Sequence, residues 1–129
     1  MKARKLFLVF LAVVAVLVIS LSVAVKVMNR NLAALAAAPV GKVDISALAD
    51  GVYRGEYAVA PIRVKLDVQV SGGRITKIDL LEHRNGKGKP AEAILATIVE
   101  AQKIDVDSVS GATYSSMALK KAVEAALTR

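Results

Sequence analysis

The chain has 129 residues, a formal net charge of +7, one histidine and no cysteine. The lack of cysteine excludes disulfides, a thiol nucleophile, iron–sulfur clusters and covalent haem, and a lone histidine excludes a multi-histidine metal site. Six basic residues against two acidic ones precede Gly51 (net +4), and twelve against nine follow (net +3), so the excess belongs mostly to the N-terminal flank. That placement suits anionic lipid headgroups better than nucleic acid. Outside the N-terminal segment only Tyr53, Tyr57 and Tyr114 are aromatic, too few for a base-stacking platform, and no nucleic-acid partner is expected.

Leu6 to Val25 is uncharged and apolar except for Ser20 and Ser22. As a helix it would extend ~30 Å, the thickness of a bilayer hydrocarbon core. Lys2, Arg4 and Lys5 precede it, and Lys26 and Arg30 follow. This bias favours a cytoplasmic N-terminus with the remainder outside. A cleaved signal peptide competes, with Ala36-Ala37-Ala38 as its small residues, but the apolar run exceeds the ~7–15 residues of a signal core and Pro39 follows at once. An uncleaved anchor is the expectation. The chain then divides into a basic flank and transmembrane anchor (1–30), an Ala-rich linker (31–49) and a domain (50–129). Pro39 stops the helical extension of the anchor.

Gly51 to Val59 reads as a first strand, with Val52, Tyr53, Tyr57 and Val59 suited to a half-buried sheet surface. Ile62 to Val70 alternates apolar residues with Arg63, Lys65, Asp67 and Gln69, the pattern of a strand with one wet face. Ser71-Gly72-Gly73-Arg74 turns the chain back into a third, antiparallel strand, Ile75 to Glu82. The glycine-rich basic run from His83 to Pro90 fits neither a P-loop nor a dinucleotide fingerprint. It is either a solvated connector or a basic flap over an anionic ligand. Pro90 to Gln102 reads as a helix with the stripe Ile94, Leu95, Ile98 and Ala101. After an extended Lys103 to Val109, a last helix over about Thr113 to Thr128 buries Leu119, Val123, Ala126 and Leu127, its alanines allowing a close approach to a sheet. The expected class is α+β, a small antiparallel sheet in the order β-β-β-α-α preceded by one transmembrane helix. About 80 residues support one modest core.

Asp107-Ser108-Val109-Ser110-Gly111-Ala112-Thr113 runs directly into that last helix. Gly111 and Ala112 let another molecule approach the backbone. Thr113 would sit beside the free N–H groups and positive dipole end of a helix start, a setting that suits phosphate. The plainer possibility is a helix cap, with Ser110, Thr113 or Ser115 accepting backbone N–H groups.

Asp50-Gly51-Val52-Tyr53-x-Gly55, the strand pair, Glu82-His83, the Gly-Lys-Gly-Lys loop and Asp107-x-x-Ser110-Gly111-Ala112-Thr113 with its alanine-rich tail together resemble the FMN-binding domain family. That family includes flavin-carrying subunits of sodium-pumping NADH:quinone reductase and of the Rnf complex. This chain lacks their long inserts and is similar to the short, stand-alone form. The resemblance implies FMN as cofactor, moved from FAD by a flavin transferase onto the Thr113 hydroxyl as a phosphoester. It also implies Asp107 as a recognition acid, Ser110 as a turn or phosphate partner, and Gly111 and Ala112 as clearance. Tyr114 and His83 are candidates to lie near the flavin ring, His83 otherwise reading as an exposed strand end. Lys87 and Lys89 either attract phosphate or keep the loop soluble. The implied protein is an extracytoplasmic, membrane-held electron carrier with membrane-bound or soluble redox partners rather than an independent enzyme: no Ser-His-Asp set or paired carboxylates are apparent. A non-covalent FMN-binding module and a non-redox assembly subunit are the alternatives.

Overall fold

A computed structural model describes residues 1–84 and 88–128 of the chain. Asn85, Gly86 and Lys87 of the basic loop, and Arg129, lie outside the described residues. Helix α1 (Lys2–Ala37) is long and apolar enough to cross a membrane by length and composition. At ~1.5 Å per residue it exceeds what the hydrocarbon layer needs. Its last turns therefore extend past the apolar run, and there Leu32 and Leu35 are buried against the rest of the molecule. Pro39 follows the helix, and a 3₁₀ turn (Ile45–Ala47) leads into the sheet.

The sheet is antiparallel and three-stranded in the order β1 (Gly51–Val59), β2 (Ile62–Ser71), β3 (Arg74–Arg84). Gly72 and Gly73 both take positive φ in the β2–β3 turn, as a primed two-residue hairpin requires, and Asp50 accepts the Gly72 N–H at 2.8 Å. The alternation along β2 holds: Ile62, Val64, Leu66, Val68 and Val70 are all buried. The opposite face carries cross-strand charge pairs, Arg54 with Asp67 and Lys65 with Glu56. Val52, expected to be half buried, is exposed because its side chain falls on that wet face of the edge strand.

Two register shifts between β2 and β3 change which β3 residues face inward. Leu80 pairs with Leu66 and Glu82 with Lys65, so Leu81 is an extra residue opposite no partner and is exposed. One inserted residue reverses the inward and outward alternation beyond it. His83, opposite Val64, consequently points to the buried side of the sheet. Its side chain is 2% exposed, which corrects the reading of an exposed strand end.

After the loop, a 3₁₀ turn (Lys89–Ala93) with Pro90 at its start passes into α2 (Ile94–Ala101), so the expected single helix is 3₁₀ in its first turn. Ile94, Leu95 and Ile98 are buried, but Ala101 is exposed at the end of α2. Gln102 follows with a left-handed φ of 55°, and its side-chain amide exchanges hydrogen bonds with the backbone of Ile75 on β3 (2.8 and 2.7 Å). One side chain thus satisfies backbone groups that an edge strand would otherwise leave open.

The last helix, α3 (Thr113–Leu127), buries ten of its 15 residues, which makes it an interior helix. It lies across β1 and β2 and also touches α1, α2 and the 3₁₀ turn at Lys89–Ala93. Gly55 sets the closeness of that crossing. A Cβ there would stand 1.9 Å from the Ala122 carbonyl oxygen and 2.8 Å from the Ala126 Cβ. Glycine on the strand and alanine on the helix let two backbones meet where larger side chains would hold them apart.

Candidate functional site

The segment between α2 and α3 has no helix or strand of its own, so its shape rests on individual hydrogen bonds. Val106 N–H donates to the Ile104 carbonyl at 2.9 Å, and Ala112 N–H to the Val109 carbonyl at 3.0 Å. The second bond closes the turn at Gly111, whose φ of +78° is costly for a residue with a side chain. A Cβ at Gly111 would meet nothing within 4 Å, so the turn faces open space.

The helix begins at Thr113 with Ala112 as its N-cap residue, and no side chain caps it. The expected capping by Ser110, Thr113 or Ser115 is not what the structure has: alanine at the cap position carries no acceptor, and Ser115 is buried. The first N–H groups of α3 are therefore left to solvent or to a ligand, next to the positive end of the helix dipole. A phosphate meets both needs together, so the residues present fit the phosphate end of FMN.

Around that point Asp107, Ser110, Gly111, Thr113 and Tyr114 are all exposed, while Ala112 is buried. These exposed residues follow one another along the turn and the first turn of α3. Thr113 is exposed, with the unobstructed glycine turn just ahead of it. A hollow of about 450 Å³ lined by Gly41, Lys42, Val43, Lys103, Ile104 and Asp105 does not include Thr113. It opens beside Gly41, which the far half of α3 holds through Glu124.

His83 is placed differently. Its Nδ1 stands 3.0 Å from Glu92 Oε1. A carboxylate can only accept, so Nδ1 carries the proton and donates. The pair ties the end of β3 to the turn Lys89–Ala93 across the basic loop. Lys89 is exposed; Lys87 falls outside the described residues.

Sequence reasoning passed over the polar residues that hold the site. Ser116, fully buried, accepts the Val109 N–H at 3.0 Å, the turn-holding role that had fallen to Ser110. Lys120, 4% exposed, donates to the Val106 carbonyl. Glu124 accepts the Gly41 N–H at 3.0 Å. The three are spaced by four on an alanine-rich helix, which puts them on one stripe. Polar residues recurring at that interval among buried alanines were the available signal.

Over residues 59–128 the sequence matches the FMN-binding domain family. The chain belongs to that family. FMN is accordingly its cofactor. The matched stretch runs from the end of β1 to the end of α3 and contains the whole Asp107–Thr113 motif. An uncharacterized protein of Treponema pallidum (strain Nichols) is 37% identical over 78 residues, which are 58% of this chain and 22% of that protein. The chain thus corresponds to less than a quarter of its Treponema relative. Together, the FMN-binding domain and the long apolar α1 make the protein a membrane-anchored FMN-binding module.

Proposed function

We propose that this chain carries FMN as a phosphoester on Thr113, outside the cytoplasmic membrane, and relays electrons between redox partners. The observation that carries the reading is an exposed threonine as the first residue of an uncapped helix, just after a glycine turn that faces open space. Thr113 Oγ1 attacks the FMN phosphorus of FAD; the new O–P bond replaces the bond to the AMP half. AMP departs, and the hydroxyl proton passes to a base of the flavin transferase or to solvent. The N–H groups at the start of α3 then face the phosphate charge. Asp107 offers an exposed carboxylate for recognition by the transferase, Ser110 a hydroxyl at the phosphate, and Tyr114 an exposed ring beside the attachment point. His83 serves from beneath, holding Glu92 and with it the turn that follows the basic loop. FMN supplies one- and two-electron chemistry when bound; the chain supplies attachment, orientation and tethering.

An ester is the form of retention that a shallow, exposed site calls for, since a dissociated flavin would be lost outside the cell. Lys2, Arg4 and Lys5 ahead of the apolar run favour a cytoplasmic N-terminus and an external domain.

Co-expression with a flavin transferase, followed by denaturation, tests the reading. The denatured parent chain is expected to keep flavin fluorescence and the added mass of FMN, and Thr113→Val to lose both entirely. The substitution is at an exposed position, so stability is expected to stay within about 0.5 kcal/mol. Flavin on denatured Thr113→Val would move the attachment elsewhere. Flavin that leaves the parent on denaturation would make the chain a non-covalent module, and a colourless parent would make it an assembly subunit.

A further inference from the structure

The stripe Ser116, Lys120 and Glu124 holds three separate backbone points: Val109, Val106 and Gly41. Lys120 stands out among them. An ammonium group is rarely buried without a carboxylate, and the partner here is a main-chain carbonyl. Methionine would fill the same space without desolvating a charge, so packing alone does not account for lysine. What an ammonium adds is a fixed direction for the group it binds.

That group belongs to the peptide unit joining Val106 to Asp107. A peptide is planar, so holding its carbonyl also fixes the N–H of Asp107 and the direction in which the chain enters that residue. Val106 is itself buried, at 7% exposure. Without Lys120 its carbonyl must swing toward water or remain unpaired, and either result turns the plane that leads into Asp107. One turn earlier on the helix, four residues before Lys120, Ser116 fixes Val109 and so the other side of the same segment.

We propose that Lys120 is a positioning residue for flavin attachment: by gripping the Val106 carbonyl from below, it sets the pose in which Asp107 and the following turn are offered to the flavin transferase. The proposal rests on the covalent reading above. Lys120 touches neither reacting atom in this account; it governs how often the segment is found in the competent pose. When only a fraction of molecules is competent, apparent affinity falls by that fraction while turnover of the bound complex is unchanged.

The full-length chain in detergent, FAD and a flavin transferase are combined, and initial rates are read from flavin fluorescence of the denatured band at increasing acceptor concentration. Lys120→Met is expected to raise the KM for the acceptor roughly tenfold, the loss of a charge-assisted bond, with kcat within about twofold. Lys120→Arg, which keeps a buried cationic donor, is expected to recover most of that loss. Amide exchange gives the second readout: in Lys120→Met it should rise at Val106 and Val109, whose N–H groups are hydrogen-bonded, while amides of Leu119 to Val123 stay protected. A parent-like KM in Lys120→Met overturns the proposal, and so does a uniform rise in exchange across the domain, which marks general loosening. Should Lys120→Met not fold, Lys120→Gln carries the same two readouts with a side chain too short to reach the same carbonyl. A parent chain that takes up no flavin at all overturns the covalent reading first and this proposal with it, an outcome distinct from a parent that is labelled normally and a variant that matches it.

Discussion

The two ends of α3 are built for opposite purposes. At its start, Ala112 supplies no cap, Gly111 opens the turn, and Thr113 and Tyr114 face solvent. Its second half is enclosed: Leu119, Ala122 and Val123 are fully buried, Ala122 and Ala126 lie against Gly55, and Glu124 holds Gly41 while Lys121 donates to the Pro39 carbonyl. A helix start left uncapped costs about 1 kcal/mol relative to one with a good cap. The enclosed half offsets that cost, which lets the open end keep its donors for a ligand. With the proposed attachment at Thr113, stability and chemistry are separated along a single helix.

The comparison breaks most readily at Gly55. Any side chain there collides with the α3 backbone at Ala122, which cannot give way as a flexible side-chain tip would. Gly55→Val is expected to cost well over ~3 kcal/mol, enough to unfold so small a domain. Thermal melting of the full-length chain in detergent would show the cooperative transition lost. A variant melting near the parent temperature would mean that the helix does not press on the sheet as described.

How much of this could be read beforehand differs along the chain. β2 announced itself because period-two alternation is the direct image of a sheet with one wet face, and β1 and the Gly-Gly turn followed from it. The motif Asp107 to Thr113 stood out through its resemblance to the FMN-binding domain family; taken alone, its hydroxyls and small residues read as well as a plain helix cap. His83 was not legible. Its direction depends on an extra residue at Leu81, and a bulge is a property of the register between two strands that no single strand's pattern contains. Residues 31–37 read as an alanine-rich connector, yet they carry the two α1 leucines that the domain buries. Composition registers alanine's smallness; it does not register that two leucines among the alanines will be buried by a domain that follows them.

That docking is the next place to press. Leu35 is 3% exposed although it belongs to a helix whose apolar run is bare along its length. Leu35→Ala should cost ~2–3 kcal/mol, the usual range for a buried leucine at the edge of a core. The loss falls on the enclosed half of α3, so flavin uptake at Thr113 should persist at temperatures below the new transition. The region around Pro39 to Lys42 should meanwhile become cleavable by protease, because its hold through Lys121 and Glu124 depends on α1 staying in place. Unchanged cleavage together with an unchanged melting point would show that α1 is not part of the domain's stability.

The smallest effect is expected on the face of the sheet that α3 never touches. Arg54 clasps Asp67 with two bonds of 2.8 and 2.9 Å. The Arg54 hydrogen bond, reinforced by its charge and opposed by some desolvation, holds the Asp67 carboxyl below the ordinary carboxylate range. A depressed pKa in the folded state gives stability that is present above the unfolded carboxylate value, about 4, and is lost as pH falls through the folded one. The parent should therefore lose slightly more stability than Asp67→Asn on acidification below about pH 4, with the gap narrowing in high salt because the pair is exposed. Melting temperature against pH at two salt concentrations measures this. Flavin uptake at neutral pH should be the same in both proteins, since the pair lies across the sheet from both ends of α3; a change in uptake would mean that the sheet's outer face communicates with Thr113 through the strand Gly55 occupies, and the division of labour along the helix would then extend to the sheet beneath it.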